Sequence, residues 1–494
     1  MTTTIAPSVD TIPAPTTLCD GYKLDHRRQY PPGTERIQSN WTARGSRLPG
    51  VNKVPLLGLQ AFLQKYLMEE LEPFFAGDID EIAARFTKRV NGYLGPNEIG
   101  EEHIRAWHAL GYTPLEFRAV PEGMEVPIRV PMFTVENTQR EFFWLVNYFE
   151  TILSCSIWLP CTSAAQALRL RRLFEHYALS TGSPREFVQW QGHDFSMRGM
   201  GSLESSMLSG MGHLLAFTGT DTIPALDFIE HYYPTNSLIG GSVPATEHSV
   251  MCAGTKESEE ETFQRLLNVY PTGIVSVVSD TWDLWNVLTN ILPSLKSQIM
   301  ARNGKIVVRP DSGDPVKIVC GDPDAPEGTP RRKGVVELLW DTFGGTKTVT
   351  GHKLLDSHVG CIYGDAINYA RAEAILAGLS AKGFTSANVV FGVGSYTYQY
   401  VTRDLFNFAM KATYAERDGV GIPLFKAPVT DDGVKNSAKG RLAVLREPAG
   451  RITLVNEATP EQEAASLLQP VWRNGKFLRY YTFDDVRENA RAND

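Results

Sequence analysis

The residues best suited to chemistry in this chain stand in four short runs. Gly241-Ser242-Val243-Pro244-Ala245-Thr246-Glu247-His248-Ser249 sets a histidine beside a glutamate, after a glycine–proline turn. Histidine changes charge near neutral pH and can act as a nucleophile, and a neighbouring carboxylate can orient it. Arg309-Pro310-Asp311-Ser312-Gly313-Asp314-Pro315 joins a guanidinium, two carboxylates and a tight turn. A carboxylate there can hold ribose hydroxyls or a hydrated Mg²⁺. Gly392-Val393-Gly394-Ser395 follows an apolar run, so its backbone N–H groups can cradle a phosphate, with Arg403 and Lys411 downstream. Asp221, in Thr218-Gly219-Thr220-Asp221-Thr222, can accept from an amide NH₂. Each run also reads as ordinary structure. Glu247-His248 fits a surface turn, and Asp311 fits an aspartate bonded to its own backbone. Tyr22 and Phe195 can clamp a flat ring, but spacing alone favours core packing for both.

Four β-branched stretches are the elements that must position these groups. They are 274–280 (IVSVVSD), 305–313 (KIVVRPDSG), 358–365 (HVGCIYGD) and 388–394 (NVVFGVG). Apolar strand, polar end, then helix, four times over, predicts a β/α fold with a parallel sheet. In such folds ligands bind at the C-terminal strand ends, where Asp280, Arg309, Asp311, Asp365 and the glycine loop stand. The spacing predicts a helix over 396–409 after the last strand. Upstream, 58–71 reads as a helix and 117–135 as short strands and turns. Ser163 and Gln166 form a capping-box pattern that predicts a helix from there to about 180. The segments 321–333 and 418–440 read as loops, the second carrying Lys426 and Lys435.

Composition narrows the class. A chain of 494 residues exceeds one small core, so two lobes are expected. A net charge of -8 leaves no basic excess for a nucleic-acid strand. The 6 cysteines form no C-x-x-C pair and read as isolated thiols of a reducing cytoplasm. No apolar run reaches the length of a membrane span. The first residues, rich in Thr, Pro and Ala and without a basic start, read as a flexible arm over 1–17 rather than a signal peptide.

Taken together, the runs resemble the nicotinamide phosphoribosyltransferases, of the type II phosphoribosyltransferase family. The resemblance runs from about residue 18 to about 489. Its anchors include Tyr22-Lys23, Ala119-Val120-Pro121-Glu122-Gly123, His193-Asp194-Phe195 with Arg198-Gly199, and Gly219-Thr220-Asp221-Thr222. Further along come Ser242 to Ser249, Val277-Val278-Ser279-Asp280, Arg309 to Gly313 and Thr402-Arg403-Asp404. It implies an α/β fold: an irregular β/α barrel over 181–394, plus an α+β lobe built from both chain ends, 18–180 and 395–494. It also implies a cytoplasmic homodimer with interfacial active sites that binds neither nucleic acid nor membrane. The implied reaction joins nicotinamide to 5-phosphoribosyl 1-pyrophosphate, giving nicotinamide mononucleotide and pyrophosphate in NAD salvage, with Mg²⁺ and ATP.

The resemblance also implies residue roles. Phe195 and the partner subunit's Tyr22 would sandwich the nicotinamide ring, Asp221 would accept from its carboxamide, and Arg309 would lie close to it. Asp311 would bind ribose or, indirectly, the metal. Arg198, Gly364, Asp365, Gly394 and Ser395 would contact ribose and 5′-phosphate. The partner subunit's Arg44, Arg403 and Lys411, with Lys426 and Lys435 nearby, would surround pyrophosphate or ATP phosphates. His248 would take a phosphoryl group from ATP, held by Glu247 and Asp280. Two departures from the animal pattern stand out. Ser395-Tyr396 replaces glycines, and Ala409 replaces a phosphate-contacting serine. The alternatives are a nicotinate phosphoribosyltransferase, which Asp221 disfavours because it should repel a carboxylate, and a non-catalytic homologue.

Overall fold

The computed structural model describes residues 14–426 and 437–492. The chain divides into two units. One takes the chain up to Thr162, Glu230–Thr235 and the chain from Arg403 onward; the other takes Ser163–Ile229 and Asn236–Thr402. These boundaries differ from the 180 and 395 of the sequence reading. The helix that crosses the first of them runs unbroken over Glu150–Thr181.

The first unit is an antiparallel sheet woven from both chain ends. Strand Thr34–Thr42 lies between Ala409–Arg417 and Pro131–Asn137, and Gln469–Arg473 pairs with Leu115–Ala119. Trp41, fully buried, stacks between Phe133 (6.2 Å) and Phe408 (5.3 Å). Such flat stacks add aromatic attraction to the area they bury. Glu122 anchors a second point, accepting from the amides of Gly58 and Gln60 and from the Tyr233 hydroxyl. Next to it, Gly123 has φ +86°, and a Cβ there would overlap the Val486 carbonyl, so only glycine fits.

The second unit is the barrel. Its six-stranded sheet runs in the spatial order Gly219–Thr220, Gly192–Asp194, Val389–Val393, Val359–Tyr363, Asn303–Arg309, Thr272–Val278, all parallel. The segment 241–246 closes the gap between the two edges. Thr220 N–H donates to Gly241 O and Gly241 N–H to Thr218 O on one side. On the other, Ser276 N–H donates to Pro244 O and Thr246 N–H to Ser276 O. The irregular β/α barrel expected from the sequence is therefore present, and 241–246, read as a turn, serves as a stave.

Several local expectations change. Ser163 does not open a helix. It lies buried inside one that begins at Glu150, and its hydroxyl has no partner among the described residues. The 396–409 helix is absent: Ser395–Tyr398 makes one turn, Arg403–Leu405 another, and Ala409 begins a strand. The start of the 418–440 loop is partly strand, Val420–Pro423, paired to Ala409–Arg417. The end of 321–333 is a helical turn, Pro330–Lys333, with Arg331 and Lys317 on Asp322. Of the expected arm, 1–13 lies outside the described residues. Pro15–Thr17 is a helical turn with Pro15 and Thr16 buried, and Tyr148 donates to Thr16 O at 2.6 Å. All six cysteines are free thiols. No single helix among the described residues is long and apolar enough to cross a membrane; only the bent pair 140–148 and 150–181 passes together by length and composition.

Candidate active site

The C-terminal strand ends of the barrel open into a cleft of about 1330 Å³. Phe195, Arg198, Asp221, Glu247, His248, Arg309, Asp311, Gly364, Asp365, Gly394 and Ser395 line it. The sequence-predicted barrel residues thus share one space, except that Asp280 is reached through its contacts with Asp311 and Ser312. A second cavity of about 470 Å³ continues into the barrel and shares Phe195, Asp221, Ala245 and Arg309 with the cleft. Alternate residues Lys305, Val307 and Arg309 of one strand line it, as inward-facing positions must.

At the junction of the two stands Phe195. Its ring rests on glycine backbone: a Cβ on Gly392 would overlap it, and one on Gly364 would come to 3.0 Å. A Cβ on Gly394 would meet nothing, so the first glycine of the loop is the sterically required one. His193 also packs against the ring, centroids 4.9 Å apart and tilted 58°.

Asp221 is held by two donors on one oxygen. Ser242 Oγ donates to Oδ1 at 2.6 Å, and His193 Nε2 lies 2.8 Å from the same atom. A carboxylate only accepts, so Nε2 carries the proton. Among the described residues Oδ2 has no hydrogen bond, and the side chain is 46% exposed. Burial raises the Asp221 pKa, but the bonds from His193 and Ser242, with charge from Arg309, outweigh it and hold the carboxyl below its usual range. His193 and Ser242 stand within anchor runs, but spacing gave no sign that they converge on Asp221.

Arg309 Nε lies 3.2 Å from Asp311 Oδ2, an ion pair without an aligned hydrogen bond. Asp280 Oδ2 accepts from the Asp311 amide at 2.8 Å and from Ser312 Oγ at 2.6 Å, while its buried Oδ1 has no partner. Burial raises the Asp311 pKa and Asp280 adds to it, against Arg309, His248 and Arg198. Two neighbouring acidic residues, one with an orphaned carboxylate oxygen, suit a hard cation that draws most of its ligands from water and phosphate. No cluster of three or more His, Cys, Asp or Glu that could hold a metal occurs among the described residues.

His248 begins the short helix His248–Ala253 and is exposed. Its Nδ1 lies 3.2 Å from Thr281 Oγ1, while Glu247 accepts from Ser249. This corrects the expectation that Glu247 and Asp280 hold the imidazole: no hydrogen bond joins either to it among the described residues. Thr281 follows Asp280 directly in the chain.

The remaining expected residues belong to the first unit. Tyr22, 61% exposed, is no core residue; His26 lies at 5.3 Å from its ring and Lys23 Nζ at 5.2 Å. Burial lowers the Lys411 pKa, opposed by Glu150 and assisted by Arg44, Lys426 and Lys23. Strand pairing sets Lys411 opposite Asn40, and Arg44 donates to Asn407 O. Arg403 pairs with Asp404 at 3.3 Å. Lys435 lies outside the described residues.

A parallel barrel with its cleft at the strand ends, and a separate antiparallel lobe from both chain ends, are the two units of the type II phosphoribosyltransferase fold. Two solved structures share that fold. The nicotinate-nucleotide pyrophosphorylase from Pyrococcus furiosus gives a TM-score of 0.59 at 14% identity, covering 100% of this chain and 97% of that one. Human nicotinic acid phosphoribosyltransferase gives 0.53 at 15% identity, covering 96% and 93%. Residues 190–476 match the nicotinate phosphoribosyltransferase (NAPRTase) family, and 16–89 match the nicotinamide phosphoribosyltransferase N-terminal domain. The chain is 50% identical over 487 residues to the nicotinamide phosphoribosyltransferase of Acinetobacter baylyi, covering 96% of each. It is 38% identical to that of Mycoplasma pneumoniae, over 86% of this chain and 94% of the relative. The corresponding enzyme of Xanthomonas campestris pv. campestris is 35% identical, over 96% and 97%. The chain belongs to the nicotinamide phosphoribosyltransferase family and is an enzyme of the pentosyltransferase class.

Proposed function

We propose that this enzyme transfers the phosphoribosyl group of 5-phosphoribosyl 1-pyrophosphate to nicotinamide, forming nicotinamide mononucleotide and pyrophosphate. The observation that carries the choice of acceptor is Asp221, ionised, fixed at one oxygen by His193 and Ser242 and open at the other. Beside the Phe195 ring, that open oxygen accepts from a carboxamide NH₂ and repels the carboxylate of nicotinate.

The ribose carbon develops oxocarbenium character as pyrophosphate leaves, and the pyridine nitrogen attacks it. The protein's part is position and charge. Phe195 and Asp221 orient the ring. Asp311 accepts from ribose hydroxyls, and Arg198 with the Gly394–Ser395 turn receives the 5′-phosphate. Asp280 and Asp311 are the residues that would hold a Mg²⁺, whose chemistry there would be charge neutralisation of the diphosphate. Tyr22, Arg44, Arg403, Lys411, Lys426 and Lys435 of the partner subunit complete this reading, in a homodimer. His248, exposed in the cleft, is the residue we assign to phosphorylation by ATP; the new group would add about -1.5 to -2 charges.

The test is turnover of nicotinamide and nicotinate side by side. Nicotinamide preference is expected, and Asp221→Asn or Asp221→Ser should narrow the gap by about tenfold or more, the worth of one charged hydrogen bond. A clear nicotinate preference in the wild type would overturn the amide assignment.

A further inference from the structure

We infer that Tyr363 is a positioning residue for the phosphoribosyl donor: its hydroxyl fixes the turn that aims Asp311 at the ribose. The inference rests on the proposed contact of Asp311 with ribose hydroxyls and extends it to a buried side chain with no role there.

The turn 310–314 follows the strand Asn303–Arg309, and the strands on either side both grip it. After Thr272–Val278, Asp280 Oδ2 accepts from the Asp311 amide at 2.8 Å and from Ser312 Oγ at 2.6 Å. At the end of Val359–Tyr363, the Tyr363 hydroxyl donates to Gly313 O at 2.9 Å. The first grip holds the front of the turn and the second its back. Asp314 caps the helix Pro315–Cys320 by accepting from Val316 and Lys317, which sets where the turn ends. The direction of the carbonyl before it is set by Tyr363. Gly364, directly after Tyr363, adds a bed: a Cβ there would come to 3.3 Å from Asp311 Oδ1. The carboxylate thus lies against backbone whose neighbour, Tyr363, is fully buried and held in place.

A turn pinned only at its front can pivot about Asp280 and carry the Asp311 carboxylate with it. Catalysis by position is sensitive to small displacements of a substrate-holding group. The hydroxyl suits the task because it remains a donor. Burial raises the Tyr363 pKa, and the carboxylates of Asp365, Asp280, Asp311 and Asp314 add to it, so the proton stays on. Phenylalanine at this position would fill the same room and leave Gly313 O without that donor. Among the described residues, no hydrogen bond or ring contact joins Tyr363 to Phe195 or Asp221. Its influence therefore falls on the donor half of the site and spares the nicotinamide half.

The experiment measures kcat and the KM of each substrate, with Mg²⁺ in excess, for wild type, Tyr363→Phe, Asp311→Ala and the double variant. Tyr363→Phe should lower kcat/KM for 5-phosphoribosyl 1-pyrophosphate about fivefold or more, the worth of one hydrogen bond, through a raised KM. The KM of nicotinamide should stay within about twofold. A merely structural role would reduce the active fraction, and so kcat alone, with both KM values unchanged. In the Asp311→Ala background, Tyr363→Phe should cost nothing further, because the carboxylate it acts through is gone. Wild-type donor kinetics in Tyr363→Phe, a fall in kcat alone, an equal rise in nicotinamide KM, or losses that multiply in the double variant overturn the inference alone. Wild-type donor kinetics in Asp311→Ala overturn the ribose reading and the inference with it. Gly313→Ala strains the same turn from the acceptor's side, since Gly313 has φ +88°. The same donor-only loss is expected there, and its absence overturns the inference even where Tyr363→Phe fails to fold.

Discussion

The two ends of the cleft are built differently. At the ring end, every group is braced: Phe195 on glycine backbone and on His193, Asp221 on two donors, Arg309 on Asp311. At the other end, exposed His248 opens a helix of six residues and touches Thr281 at 3.2 Å. The first end is preorganised to recognise a flat ring and lower the cost of ordering on binding. The second is left accessible, as a side chain must be if it is to receive a group from solution. The contrast teaches that one cleft can hold some side chains rigidly by their neighbours and leave another open to solvent.

Four changes break or sharpen that contrast. The largest effect should come from Gly392→Val, which drives a side chain into the Phe195 ring. Nicotinamide kcat/KM should fall about 100-fold or more, roughly 3 kcal/mol, in steady-state assays. A wild-type value would show that the ring does not need its glycine bed. Next, His248→Ala should abolish any stimulation of transfer by ATP and leave basal transfer within about threefold. Stimulation undiminished in that variant would falsify the phosphohistidine role. Thr281→Val removes the hydroxyl beside His248 and should weaken ATP stimulation about threefold, with the ring kinetics untouched. An equal loss in nicotinamide KM would mean that the two ends are not separate.

The smallest effect is on stability. The folded-state pKa of Asp311 is raised by burial and by Asp280. A raised carboxyl contributes stability below the ordinary carboxylate range, and this is lost as pH rises through the folded value. At neutral pH the ionised group is therefore a net cost. Asp311→Asn should raise Tm by about 1–3 °C near pH 7. The gap should narrow as pH falls through the carboxylate range, since the raised wild-type carboxyl takes up its proton earlier than an ordinary one. A lower Tm at neutral pH would show that the pair with Arg309 outweighs burial.

The long apolar strands were legible because runs such as 274–280 and 305–313 carry their own pattern, ending in Asp280 and Arg309-Asp311. The staves at Gly192–Asp194, Gly219–Thr220 and 241–246 were not, because so few residues show no alternation. Their form is imposed by neighbours in the closed sheet. Ser163 carried the letters of a cap, but its helix had begun well before it, at Glu150, so the tertiary setting overrode the motif. Tyr22 looked like core on spacing and is exposed, since a sequence does not show which apolar groups await a ligand or partner. His193 and Ser242 were visible only as letters, for their convergence on Asp221 depends on three separate staves closing.

The 241–246 stave also makes the barrel a hoop with a short joint. The neighbouring strands Thr272–Val278 and Asn303–Arg309 pair along their whole lengths, whereas the joint hangs on a few amides, those of Thr220, Gly241, Thr246 and Ser276. Those amides should be the first in the barrel to trade their protons with solvent. The bond from Ser242 to Asp221 crosses this joint, so a ring bound there clasps it shut. Amide exchange at the four positions then reports occupancy of the ring site without a single turnover.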